Sequence, residues 1–375
     1  MSKLPGLDLL RAVAVVWVML FHSFLVGGLG EDFAWLSRYG WMGVDIFFVL
    51  SGFLIGRQVL QPLARGEGLD FAAFYARRAW RILPAYAVVL AIYLALPAWR
   101  EVPELAPWWQ FATFTLNLVI DYTHAPAFSH AWSLCVEEHF YLLFPLLALA
   151  LARRASVRGV IALAAALVLG GIALRTALWL HGTALDPPRN WFIEDVYFPT
   201  WNRLDGLLAG VLLAALAVYR PQTWARLARH GNAALLLGLG GLGLALWLFR
   251  DRVGLLGNSV GWPVLSAALA CLVLAGASEH SLIGRWRVPG AGAIAAISYS
   301  LYLSHKLVFH AVQGALQAWP ACTGVAAFAV YAVATLAGGA LLHVLVERPC
   351  LVLRDRRARV AASGAATRGA TESLA

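Results

Sequence analysis

Apolar runs long enough to cross a bilayer recur from Leu7 to Val346, and no stretch of soluble-domain size separates them. A membrane-crossing helix needs about 17–25 predominantly apolar residues. Ten segments qualify: 7–26, 41–60, 82–98, 131–152, 159–180, 201–219, 232–249, 259–277, 293–314 and 322–346. Lipid offers no partner to a free N–H or C=O, so such repetition predicts an all-α, polytopic integral membrane helical bundle of about ten transmembrane helices. Composition agrees: 61% of residues are apolar and 13% charged, where a soluble domain has about half and about a quarter. The run 7–26 is too long for a signal-peptide core, lacks a small-residue cleavage site and contains Arg11 and His22, so it reads as the first span.

The formal charge of +9 invites a nucleic-acid reading, which its placement removes. With the N-terminus inside, cytoplasmic segments hold 20 of the 29 Lys and Arg and outside segments five. That asymmetry is the positive-inside rule; it predicts both termini in the cytoplasm and makes nucleic acid no partner. Residues 108–120 are apolar but short, and counting them as a span would spoil the asymmetry. They are expected to be an extracytoplasmic interfacial or re-entrant piece. Residues 1–353 form one transmembrane domain, and 354–375 a cytoplasmic basic tail expected to be disordered. Trp41, Trp80, Trp99, Trp108, Trp109, Trp201 and Trp319 fall near span ends, as an aromatic belt in contact with membrane lipids does. Four scattered cysteines with no CxxC or Cys/His cluster indicate neither a disulfide framework nor a metal site.

Ionisable residues inside a bilayer are costly and mark function. Arg11 and His22 are eleven residues apart, about three turns, which puts them on one face ~16 Å apart along the axis. Asp45 begins the second span from outside, Glu137 and Glu138 the fourth, and Arg203 with Asp205 the sixth, so all are expected near the depth of His22. Structural pairing explains some of them, Arg203 with Asp205 foremost. Two adjacent glutamates at a span entrance favour a functional cluster. At the cytoplasmic end Arg77, Arg78 and Arg81 lie within one helical turn, a spacing suited to a polyphosphate, although any cytoplasmic loop collects arginines. His124, His130, His139 and His310 are read as packing or hydrogen-bonded histidines; His305 stands apart within a span.

The chain resembles the acyltransferase 3 family of membrane O-acyltransferases along nearly its whole length. The carrying motifs are LDLLRAVAVVWVMLFH with its Arg11-x10-His22 pair, GVDIFFVLSGFLI, FYARRAWRILP, WSLCVEEHFYLLFP, RLDGLLAG, SYSLYLSHK and ERP, in that order. The resemblance implies a ten-helix transferase that takes an acyl group, commonly acetyl, from cytoplasmic acyl-CoA. The acceptor is a hydroxyl of a glycan, lipopolysaccharide-type or secondary-metabolite molecule. Carried over by position, His22 is the catalytic histidine and Arg11 its motif partner; Arg78 and Arg81 bind the donor, with Arg77 beside them. Glu137 takes the S-L-x-x-E position, followed by Tyr141, and His305 lies in a family motif. Cys135, His139 and Lys306 depart from the family's frequent serine, glutamine and aromatic, which bears on acceptor or acyl-chain identity. The chain stops too soon for the esterase-like domain that some members append, so a standalone form is expected.

Both lines lead to one expected mechanism: the donor nucleotide docks at the arginines, the thioester reaches His22, and His22 acts as general base with Glu137 (or Glu138) holding its tautomer. Asp45, Glu138, Tyr141, Arg203, Asp205 and His305 would support the acceptor side. No permanently bound cofactor is expected; acyl-CoA, acetyl-CoA foremost, is the co-substrate. The alternatives are a transporter or flippase for glycans or acylated lipids, and a non-catalytic sensor or assembly partner. Against transport, no inverted repeat or matched pair of Gly/Pro-broken spans is visible. The high arginine-to-lysine ratio points to a bacterial inner membrane.

Overall fold

The computed structural model describes residues 4–28, 34–152, 156–185, 188–319 and 321–357. Among the described residues ten long helices follow one another: α1 (Pro5–His22), α2 (Gly43–Ala64), α3 (Phe71–Ala95), α4 (Trp132–Ala152), α5 (Val157–Leu185), α6 (Leu204–Tyr219), α7 (Gly231–Leu248), α8 (Trp262–Gly276), α9 (Ala291–Leu316) and α10 (Gly324–Leu342). Among the described residues the only β pairing is an isolated bridge from Leu105 to Pro126 and Ala127. The protein is an all-α polytopic membrane protein, as expected.

Among the described residues, and with the helical turns that extend them (Gly257–Gly261 before α8), eight of the ten helices are long and apolar enough to cross a membrane. The other two have physical reasons to differ. Helix α6 has 16 residues and breaks through 112° into a short helix, Pro221–Arg229. Helix α9 spends its sequence on Ser298, Ser300, Tyr302, Ser304, His305 and Lys306, and buries all six in the bundle.

Helix α2 is central, packed on α1, α4, α6 and α8. Its crossing with α6 is a backbone contact: a Cβ on Gly52 would lie 2.2 Å from the Leu207 carbonyl oxygen, and one on Gly210 2.2 Å from that of Val49. Small residues at a crossing let two membrane helices gain dispersion and Cα–H contacts where no hydrophobic driving force separates helix from lipid. Helix α9 packs on α1, α3 and α10, which brings the C-terminal end of α1 beside its polar stretch. Helix α5 lies at the periphery and buries little besides Arg175 and Gly182.

Helix α3 starts eleven residues before the expected span. Asp70 caps it by accepting from the Ala73 N–H at 2.8 Å, and Pro84 sits inside it without ending it. Arg77, Arg78 and Arg81 therefore ride on a spanning helix rather than a loop. After α10 a π-turn (His343–Glu347) leads into further helix that runs to Arg357. The tail expected to be disordered from 354 is thus helical for its first four residues; 358–375 lie outside the described residues.

The segment 96–131 folds over one end of the bundle. Its short helices Trp108–Ala112 and Leu116–Val119 are too short to span, matching the interfacial reading. Phe128 anchors the segment: its ring stacks on Tyr93 at 4.3 Å and on Phe111 at 5.4 Å. Its backbone is left-handed, φ 55°, a conformation that non-glycine residues rarely hold without surrounding contacts. The turn that follows delivers Ser129 and His130 to α9. Of the expected belt, Trp99, Trp108, Trp109, Trp201 and Trp319 are exposed, but Trp41 is a core residue, enclosed by Tyr197, Phe249 and Trp262.

Candidate active site

A cavity of about 240 Å³ opens inside the bundle between α1, α2, α3, α4 and α9. One part of its wall carries Arg11, Gln58, Arg78 and Arg81; another carries Ser133 and Tyr302. Arg78 donates to Gln58 Oε1 at 3.3 Å and lies over the Tyr141 ring. Arg11 reaches Asp8 at 3.4 Å. Arg77 is exposed and does not line the cavity, although it belongs to the same turn.

Glu137 and Glu138 also line this cavity. Glu137 accepts from Ser51 Oγ at 2.6 Å and from Tyr141 OH at 3.1 Å, which occupies both carboxylate oxygens. The expectation that Glu137 holds the imidazole of His22 is corrected by this geometry. Helix α4 begins at Trp132, so Glu137 sits five residues, ~7.5 Å, down the axis from the entrance. His22 is the last residue of α1 and stays at the entrance.

The partner of His22 is His305. Its Nε2 lies 3.0 Å from His22 Nδ1, and its Nδ1 lies 2.8 Å from the Tyr302 carbonyl oxygen. His130 completes a group of three imidazoles, with ring centroids 4.9 Å from His305 and 6.3 Å from His22. The His130 Nε2 donates to the Leu303 carbonyl at 3.3 Å. Beside them Lys306 pairs with Glu101 at 3.4 Å, and Glu101 is held by Tyr93 OH at 2.9 Å and the Phe128 N–H at 3.1 Å. Tyr302 links the two regions. It lines the cavity, its hydroxyl meets Ser133 Oγ at 2.6 Å and donates to the His130 carbonyl at 2.8 Å, and its ring centre is 5.9 Å from that of His305.

A second charged layer lies across the bundle, and here too the expected pairing is corrected. Arg203 bonds Asp45 at 2.8 Å, not Asp205. Asp205 instead receives Arg175 at 2.8 Å, and Arg175 also donates to the carbonyls of Asn202 and Asn258. The Arg203 guanidinium is walled by aromatic faces, 3.7 Å from the Trp262 ring centre and 4.7 Å from that of Tyr197. On the exposed loop before α6, Arg189 bridges Asp195 and Glu194, which raise its already high pKa and keep it a cation.

The six ionisable groups expected at one depth therefore divide three ways: His22 with the imidazoles, Glu137 and Glu138 with the cavity, and Asp45, Arg203 and Asp205 in the buried pairs. Sequence reading passed over Glu101, Ser51, Ser133, Tyr302 and Arg175. A basic side chain in the middle of α5 was the visible signal for Arg175; Glu101, in a loop, gave none. His124, His139 and His310 bond Asp121, Thr200 and the Ala98 carbonyl, the satisfied histidines they were read as. Among the described residues no three His, Cys, Asp or Glu side chains converge as metal ligands.

A family described as an acyltransferase domain, acyltransferase 3, matches residues 4–344. The chain is 29% identical over 326 residues to O-acetyltransferase OatA of Staphylococcus aureus (strain NCTC 8325 / PS 47), covering 80% of this chain and 50% of that protein. It is 32% identical over 232 residues to YrhL of Bacillus subtilis (strain 168), provisionally named a peptidoglycan O-acetyltransferase, covering 56% of this chain and 33% of that one. The chain thus spans about half the length, or less, of the curated relatives it matches. No solved structure matches it. With its ordered motifs on the helices of one bundle and the match running nearly end to end, this multi-pass integral membrane protein belongs to the acyltransferase 3 family.

Proposed function

We infer that the protein is a membrane O-acyltransferase that moves an acyl group, acetyl in the first instance, from cytoplasmic acyl-CoA to a glycan hydroxyl at the outer side of a bacterial inner membrane. The observation that carries this reading is the run of the cavity: arginines line it at Arg78 and Arg81, and it reaches Tyr302, in ring contact with the partner of His22. The name of one relative specifies peptidoglycan, which makes muropeptide hydroxyls the acceptors to try first.

The donor diphosphate would be held by Arg78 and Arg81 with Arg77 nearby, as planar guanidinium forks hold phosphate. The pantetheine arm would lie along the cavity past Arg11. His22 would remove the acceptor's hydroxyl proton as that oxygen attacks the thioester carbonyl. The C–S bond then breaks, and the departing thiolate takes the proton back from His22. Proton transfer of this kind contributes about 10²–10⁴-fold.

The test is acetyl transfer from radiolabelled acetyl-CoA to muropeptides by purified, detergent-solubilised protein. Wild type should form labelled ester, and His22→Ala should lose at least ~100-fold of it. Equal turnover by His22→Ala would end the assignment of His22 as base. Arg78→Ala with Arg81→Ala should raise the donor KM by about tenfold or more, since each charge-assisted bond is worth roughly 1.5–3 kcal/mol.

A further inference from the structure

We propose that His305 is a positioning residue that fixes the tautomer of His22 and turns its Nε2 into the base. The argument is a chain of hydrogen bonds with one consistent assignment. The Tyr302 carbonyl oxygen can only accept, so the His305 nitrogen 2.8 Å from it, Nδ1, carries the hydrogen. In the neutral ring Nε2 then holds a lone pair. His22 Nδ1, 3.0 Å from that lone pair, must supply the hydrogen, which leaves the lone pair of His22 on Nε2. Among the described residues the His22 ring bonds through Nδ1 alone, which leaves the Nε2 lone pair for an approaching hydroxyl.

His305 itself is buried with both nitrogens engaged and offers nothing to a substrate. Its role is that of the carboxylate in a serine protease triad: it accepts from the Nδ1–H of the base, sets the ring plane, and receives the stronger bond when the base becomes imidazolium. The backbone of α9 anchors the His305 Nδ1–H one turn earlier, at the Tyr302 carbonyl. The charged and titratable groups around the pair are His130 from the turn before α4, the Lys306–Glu101 pair, and Arg252 from the loop after α7.

This proposal rests on the reading of His22 as base, and its test separates the two. In protein labelled with ¹⁵N-histidine and reconstituted in lipid nanodiscs, the His22 signals, identified by their loss in His22→Gln, report which nitrogen is protonated without any turnover. Nδ1 protonated and Nε2 bare is expected; the reverse would overturn the proposal. In the transfer assay His305→Leu should lower kcat by about 100-fold or more with the donor KM within twofold, where a mis-set tautomer in a triad costs about 10⁴-fold. His305→Gln, whose amide oxygen can accept the same bond, should recover at least tenfold of that loss. A fully active His305→Leu, or a Gln variant no better than Leu at equal yield of folded protein, would show that His305 only packs. A fully active His22→Ala would strike the proposed base instead, and leave the tautomer assignment to the spectrum.

Discussion

At the scale of single residues, the pairs that hold the bundle were half visible. Depth could be read from sequence, because a residue's distance from the end of a span fixes its height. Azimuth could not. Arg203 and Asp205 looked like partners since they are neighbours, yet residues two apart around a helix start do not face each other. Each reaches across to another helix, Arg203 to Asp45 on α2 and Asp205 to Arg175 on α5. Removing one member of such a pair leaves a bare buried charge. Asp45→Ala should therefore destabilise the protein by about 3–5 kcal/mol, and Arg203→Met in the same chain should recover part of the loss. Thermal unfolding in detergent checks this. A stronger coupling of Arg203 to Asp205 than to Asp45 in a double-mutant cycle would contradict the pairing. Glu137 was placed beside His22 for the same kind of reason: the sequence put both at an outer entrance, but α4 carries Glu137 more than one turn inward.

At the scale of elements, the sequence marked ten helices where ten stand, because apolar length is nearly all that a lipid-facing helix requires. The errors fell where a helix has little lipid to face. The start of α3 lies beyond its apolar stretch, set by the Asp70 cap, whereas α9, polar as it is, stands where the expected span 293–314 put it. The crossing of α2 and α6 is the packing feature most exposed to a single change. Gly210→Val would drive a side chain into the Val49 carbonyl and should cut the folded yield sharply, with a destabilisation above ~3 kcal/mol since backbone cannot yield as side chains do. Gly240→Ala, on α7 with nothing within 4 Å of the added methyl, should be neutral or stabilising by ~0.5–1 kcal/mol. Fluorescence-detected gel filtration after heating ranks the two; similar behaviour would mean the α2–α6 contact is looser than drawn.

At the scale of the whole molecule, the charge asymmetry read from the sequence coincides with the two ends of the bundle. Arg38 donates to the Arg250 carbonyl at the end where 96–131 folds over, while Arg357 lies on Trp80 at the end of Arg78 and Arg81. Two single cysteines test the orientation in intact cells, in a background lacking Cys135, Cys271, Cys322 and Cys350. Arg38→Cys should react with a membrane-impermeant maleimide, and Arg65→Cys only after lysis. Both positions are exposed, so the reverse pattern would invert the protein and with it the side of the donor.

The segment 96–131 is a loop that supplies Glu101, Ser129 and His130 to the imidazole group, whereas the arginine-lined cavity is built by helices alone. Loops accept insertions and exchanges that a packed helix does not. If the proposed function holds, redrafting this one stretch, with Phe128 kept as the hinge pin, would alter the acceptor side and leave the arginine-lined cavity untouched.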